Sequence, residues 1–136
     1  MENAWKYKID LKDPQAFAKV ETLREIRIPK ELRQFIEEHN AATPSNYHFM
    51  VGSTERVFGA VLSYDESETE ADRVYPALDA IKNKKLIPFA IDPFGNYICL
   101  SLKDGTVRFW DHEDHETGTA AMAGRNLQDF IENLHE

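Results

Sequence analysis

The sequence has little of what disulfide-bonded, membrane-spanning and secreted proteins need. Its 136 residues include a single cysteine, Cys99, which excludes an internal disulfide and a zinc site built on several thiolates. No apolar run approaches the roughly 18 residues that a membrane span requires. The opening residues 1–13 also lack the apolar core of a secretory signal. We therefore expect a cytoplasmic protein with no membrane partner.

Positive charge is scarce as well. The chain carries 16 Lys and Arg residues against 24 Asp and Glu residues, for a formal net charge of −8. A field of this sign repels nucleic-acid phosphates, attracts basic proteins and speeds their encounter with the chain. The alternative is that the acidity only keeps the protein soluble. We expect no nucleic-acid partner and favour a protein partner.

Two helices are predicted in the first third of the chain. Asp13 can cap free N–H groups and Pro14 suits the first helical position, and apolar residues then recur at helical spacing. Pro29 opens a second helix, which we expect to end with Asn40 in the left-handed conformation. The sequence therefore reads as one domain over residues 1–136, in which residues 1–25 form an N-terminal helical extension.

The rest of the chain predicts strands with two further helices. The polar run 63–72 is expected to be a solvated loop, and 118–124, made mostly of small residues, a mobile approach to a final helix capped by Asn126. Asp104-Gly105, between two apolar runs, is a strong hairpin signal. The predicted strands are 47–50, 56–62, 86–91, 97–102 and 107–110, with a short helix over 74–81. This order predicts an α+β fold: an antiparallel sheet with a three-stranded C-terminal meander, flanked by N-terminal, middle and C-terminal helices.

Two features of the sequence suggest a catalytic function. His112 and His115, with nearby carboxylates, could serve a metal-dependent hydrolase, but they follow a strand and the helical HExxH motif is absent. Cys99 lies in an apolar strand, where cysteine usually behaves as a small buried hydrophobe. We predict no catalytic residue, no metal site and no cofactor.

The C-terminal half resembles a known family. The run Ile87-Pro88-Phe89-Ala90-Ile91-Asp92, then Gly95-Asn96, Cys99-Leu100 and Val107, ending in Phe109-Trp110-Asp111-His112-Glu113, resembles the signature of the SUKH superfamily. That superfamily includes bacterial immunity proteins and the fungal Smi/Knr-type regulator. One segment departs from its pattern, because Asn40-Ala41-Ala42-Thr43-Pro44 stands where the family often has Asn-Gly-Gly and a nearby proline. Both glycines, which take positive φ freely, are missing.

The resemblance implies an immunity-type protein that does no chemistry. It would bind a toxin domain encoded nearby, such as a basic nuclease. The alternative is an intracellular regulatory or scaffolding module. For Asp92 and Asn96 the competing interpretation is turn chemistry, and for Trp110 it is core packing. The candidate partner-binding residues are Asp65, Glu66, Glu68, Asp92, Asn96, Trp110, Asp111, His112, Glu113 and Asp114.

Overall fold

The computed structural model describes residues 3–113 and 120–136. Within these ranges the helices are α1 (Ala16–Arg24), α2 (Lys30–His39), α3 (Val74–Ala80) and α4 (Leu127–Glu132). The strands are β1 (Trp5–Lys6), β2 (Thr43–Pro44), β3 (His48–Val51), β4 (Thr54–Val57), β5 (Ala60–Val61), β6 (Leu86–Ile91), β7 (Tyr97–Ser101), β8 (Val107–Trp110) and β9 (Ala121–Gly124). The predicted α+β class is confirmed.

The main sheet has five antiparallel strands in the order β5-β6-β7-β8-β9. The meander predicted from the two turn signals is its centre. β6 is an interior strand, and its register shifts between Pro88 and Ala90, where proline has no N–H to donate. Two shorter antiparallel pairs, β1-β2 and β3-β4, lie outside this sheet.

The expectation of a loose segment over 118–124 is wrong for its last four residues. Ala121–Gly124 form the strand β9, in which Ala121 pairs with Phe109 and Gly124 with Val107. Alanine and glycine have low strand propensity, so nothing in the segment itself indicates a strand. The neighbouring β8 supplies hydrogen-bonding groups that decide its conformation. Residues 118 and 119 lie outside the described ranges.

Aromatic side chains join the helices to the sheet. Phe130 on α4 contacts Phe49, Phe58 and Phe89, with ring centroids 5.2, 6.2 and 6.2 Å away. Phe35 on α2 meets Phe89 edge to face at 6.0 Å. The last helix therefore docks its apolar face on the sheet through Phe130.

Residues before Ile26 take part in the same core. Ala16 and Val20 on α1 are buried in the main hydrophobic cluster, and Trp5 on β1 packs against it. Arg24 is also buried, and its guanidinium donates to the carbonyls of Leu78 and Ile81, each at 2.9 Å. These carbonyls lie at the C-terminal end of α3, which gives that end its cationic partner.

The predicted left-handed conformation of Asn40 is wrong. Asn40 has φ −51° and ψ 125°, and the next residue, Ala41, has φ 66°. Asn40 Nδ2 donates to Ile9 O at 2.9 Å and Ser63 Oγ at 3.1 Å, while Oδ1 accepts from Tyr64 N at 3.0 Å. These bonds hold Asn40 extended, so the reversal of the chain falls on an alanine.

The prediction of a solvated loop over 63–72 is wrong at its first three residues. Ser63, Tyr64 and Asp65 are buried. The Tyr64 hydroxyl donates to Pro88 O at 2.7 Å, and burial raises the pKa of this phenol. The Asp65 carboxylate accepts the backbone N–H groups of Lys12 and Asp13, each at 3.0 Å. Contacts with segments distant in sequence therefore bury these polar groups.

Candidate functional site

The structure divides the predicted partner-binding residues between two places. Asp65, Glu66 and Glu68 lie in the loop that follows β5. The second place is the end of the main sheet where β6 ends, β7 begins and β8 ends, and it holds Asp92, Asn96, Trp110, Asp111, His112 and Glu113. Asp114 and His115 lie outside the described residues.

Asp92 and Asn96 are buried and organise the turn between β6 and β7. The Asp92 Oδ1 atom accepts the N–H groups of Phe94 and Asn96, each at 2.8 Å, and its Oδ2 atom accepts from Asn96 Nδ2 at 2.9 Å. The backbone adds Asp92 N to Asn96 O at 3.0 Å. The two side chains therefore bond each other, and Asp92 also bonds the backbone of this turn, as the turn-chemistry interpretation predicts.

Asn96 also connects the turn to the segment that follows β8. Its Oδ1 atom accepts the backbone N–H of His112 at 3.1 Å and lies 2.6 Å from His112 Nδ1. Because an amide oxygen cannot donate, Nδ1 carries the proton of this bond. Nε2 lies 3.9 Å from Glu113 Oε1. The imidazole is therefore held in one orientation at the protein surface.

The Glu113 carboxylate beside His112 is open to solvent, and Asp111 is partly exposed. Asp111 Oδ1 accepts the N–H of Glu113 at 2.9 Å, and the Glu113 side chain is 82% exposed. Residues 86–102 and 109–124 contain no Lys or Arg at all. Among the described residues, neither Asp111 nor Glu113 forms an ion pair with Lys or Arg. Within residues 3–113 and 120–136, the charges of Asp111 and Glu113 are therefore not balanced by an ion pair with lysine or arginine.

Phe94 was missed by the sequence interpretation. It is 69% exposed at the tip of the β6-β7 turn. The next residue, Gly95, lies against His112, whose Nδ1 atom is 4.0 Å from the position that a glycine Cβ would take. The available signal was its place in Asp-Pro-Phe-Gly-Asn, since turns that face solvent are usually built from polar residues.

Trp110 is in the interior, as the core interpretation has it. Only 7% of the residue is exposed, and it packs in a small cluster with Ile81, Leu86 and Cys99. Its ring lies 5.8 Å from that of Tyr97. Cys99 is fully buried, and desolvation raises the pKa of its thiol, so the thiolate needed of a nucleophile is disfavoured. At this end of the sheet, Phe94 is exposed and Trp110 is not.

The loop acids are engaged within the protein. Glu66 Oε1 lies 3.7 Å from Lys19 Nζ, and the Arg73 guanidinium donates to Glu66 O at 2.7 Å. The Glu68 carboxylate accepts the N–H groups of Thr69 and Glu70, at 3.1 and 2.9 Å. Glu66 therefore has a lysine partner, while the Glu68 carboxylate bonds backbone N–H groups of its own loop.

Metal coordination and membrane insertion can be examined over the same ranges. Across residues 3–113 and 120–136, no three His, Cys, Asp or Glu side chains come together in an arrangement that could hold a metal ion. None of the helices in the described part of the chain combines the length and apolar character needed to cross a bilayer.

The sequence of this chain is similar to that of a known protein family. Residues 13–133 match the family described as SMI1/KNR4 (SUKH-1). The match extends from the start of the α1 region to the end of α4 and includes both candidate places. Among curated proteins, none matches the chain significantly.

Proposed function

Because the chain belongs to the SMI1/KNR4 family (SUKH-1), we propose that it is an immunity protein that binds and neutralises a toxin domain encoded nearby. Domains of this family are protein-binding and generally non-catalytic. The family match over residues 13–133 is the observation that carries the proposal. The toxin domain carries a basic surface, and a nuclease is the leading example.

The charge of the chain supports a basic partner. A net charge of −8 produces a field that attracts positively charged surfaces and accelerates their encounter with the protein. Nucleases carry basic surfaces because they hold a phosphate backbone. An acidic protein bound to such a surface excludes the nucleic acid from it. Inhibition by this route needs no catalytic group on the inhibitor.

The test is binding to the toxin domain encoded beside this chain. We expect calorimetry to give a one-to-one complex and an activity assay to show that the bound toxin is inhibited. We also expect the association rate to fall at least about tenfold between low salt and about 0.5 M salt, because steering between charged surfaces is screened. If the neighbouring toxin neither binds nor loses activity, the proposal is wrong.

A regulatory or scaffolding module is the second candidate, since the family description joins SMI1/KNR4 to SUKH-1. A regulator would be encoded away from toxin and secretion genes. Its binding partners, recovered by crosslinking in the native cell, would be resident proteins of that cell. Recovery of a toxin domain as the main crosslinked partner would argue against this second role.

A further inference from the structure

Six large hydrophobic side chains are exposed among the described residues, and two of them stand out. Tyr7 is 79% exposed and Phe94 is 69% exposed, whereas Leu23, Tyr47, Met50 and Met122 range from 42% to 56%. Tyr7 lies between Lys6 and Lys8, whereas Phe94 belongs to a stretch, residues 86–102, that contains no lysine or arginine. The two aromatics are therefore similarly exposed but have neighbours of different charge along the chain.

The backbone that carries Phe94 is held firmly. The Phe94 N–H donates to the buried Asp92 carboxylate, which also accepts two donors from Asn96. Asn96 in turn bonds His112, so the turn is connected to the segment after β8. A side chain displayed on such a turn loses little backbone freedom on binding, and this preorganisation favours affinity.

The groups around Phe94 define the chemistry of what would cover it. We name Phe94, Asp111, His112 and Glu113 the Phe94 surface. Its two carboxylates can accept hydrogen bonds, and the His112 ring is fixed beside them by its contact with Asn96. A complementary surface must supply donors and positive charge around an apolar depression. Aromatic anchors of this kind, with a polar rim, are typical of binding hot spots.

We propose that the Phe94 surface is the anchor by which this chain holds its toxin domain, with Phe94 inserted into an apolar pocket bordered by lysine or arginine side chains. This inference rests on the proposed function. Asp111 and Glu113 pair with the bordering cations in the complex. The loop acids Glu66 and Glu68 lie outside the contact and contribute only to the long-range field.

The test compares Phe94→Ala with Tyr7→Ala, two truncations of exposed aromatics, in calorimetric titrations with the neighbouring toxin domain. We expect Phe94→Ala to weaken binding at least about 30-fold, as loss of a hot-spot anchor does, and Tyr7→Ala to change it less than about threefold. Unchanged thermal unfolding of each variant confirms that the fold is intact.

A second pair separates local contacts from the general field. Asp111→Asn with Glu113→Gln removes the same charge as Glu66→Gln with Glu68→Gln. We expect the first pair to raise the dissociation rate about tenfold and the second to change mainly the association rate. Amide exchange of the complex should also slow at residues 94 and 113.

The outcomes distinguish this inference from the function on which it rests. A wild-type protein that binds no toxin overturns the proposed function and this inference with it. A wild-type protein that binds normally, while Phe94→Ala binds equally well, overturns the inference alone. Stronger weakening by Tyr7→Ala or by the Glu66 and Glu68 pair would likewise place the anchor elsewhere.

Discussion

Two junctions of this protein are each organised by one buried polar side chain, yet they draw on different parts of the chain. Asn40 bonds Ile9, Ser63 and Tyr64, which are 31, 23 and 24 residues away. Asp92 bonds only groups two to four residues away. The Asp92 turn can therefore form from its own sequence, whereas the Asn40 junction forms only when three distant segments meet.

The left-handed residue of each junction shows the same difference. In the Asp92 turn this residue is Gly95, with φ 87°, and glycine takes this conformation at little steric cost. After Asn40 it is Ala41, with φ 66°, whose Cβ makes the conformation less favourable. The hydrogen bonds of Asn40 impose the backbone path on a residue that does not prefer it. Tertiary contacts thus hold Ala41 in a conformation that glycine would adopt more easily.

Removing the long-range junction should have the largest effect on stability. Asn40→Ala leaves the buried Tyr64 N–H and Ile9 carbonyl without this partner, so we expect a loss of about 4 kcal/mol in the free energy of unfolding. Urea denaturation followed by circular dichroism measures it. Gln34→Ala, on the exposed face of α2, is the control and should shift stability by less than about 0.5 kcal/mol. A loss at Asn40 no larger than this would contradict the role given to the junction.

A conservative substitution at Asp92, the residue that organises the local junction, should cost less stability than Asn40→Ala. Asp92→Asn keeps an oxygen for the N–H groups of Phe94 and Asn96, but it sets an amide donor against Asn96 Nδ2. We expect a loss of about 2 kcal/mol, since the charge of the acceptor and one bond are lost. The same urea experiment applies. If Asp92→Asn costs more than Asn40→Ala, the ranking of the two junctions is wrong.

The smallest effects on stability are expected from single substitutions of the left-handed residue in each junction. Gly95→Ala should cost about 1 kcal/mol, because the new Cβ has room beside His112 but the backbone conformation is strained. Ala41→Gly should change stability by less than about 0.5 kcal/mol, since relief of strain is offset by the lost methyl burial and by the freer unfolded chain. Thermal unfolding of both variants checks the contrast. A clear loss in Ala41→Gly would show that methyl packing dominates at that position.

Most of the secondary structure follows from patterns within short segments. The start of α2 at Pro29, the cap of α4 by Asn126 and the Asp104-Gly105 turn each depend on neighbouring residues, and the structure contains all three elements. Strand β9 could not be found this way, because its alanines and glycine pair only when β8 is beside them. Of the candidate residues, Asp111, His112 and Glu113 are not buried. Phe94 carries no charge, so the charge pattern of the sequence does not indicate it.

Composition and local pattern alone determined the α+β class, the meander, the helix boundaries near their caps and the negative charge, because these depend on the residues themselves and their immediate neighbours. Only the tertiary structure decided that Asp65, Asp92, Asn96 and Trp110 are buried and that Phe94 is exposed. Burial depends on which distant segments cover a side chain, and an isolated stretch of sequence does not contain that information. For the same reason the strain at Ala41 became visible only after Ile9, Asn40 and Ser63 were brought together.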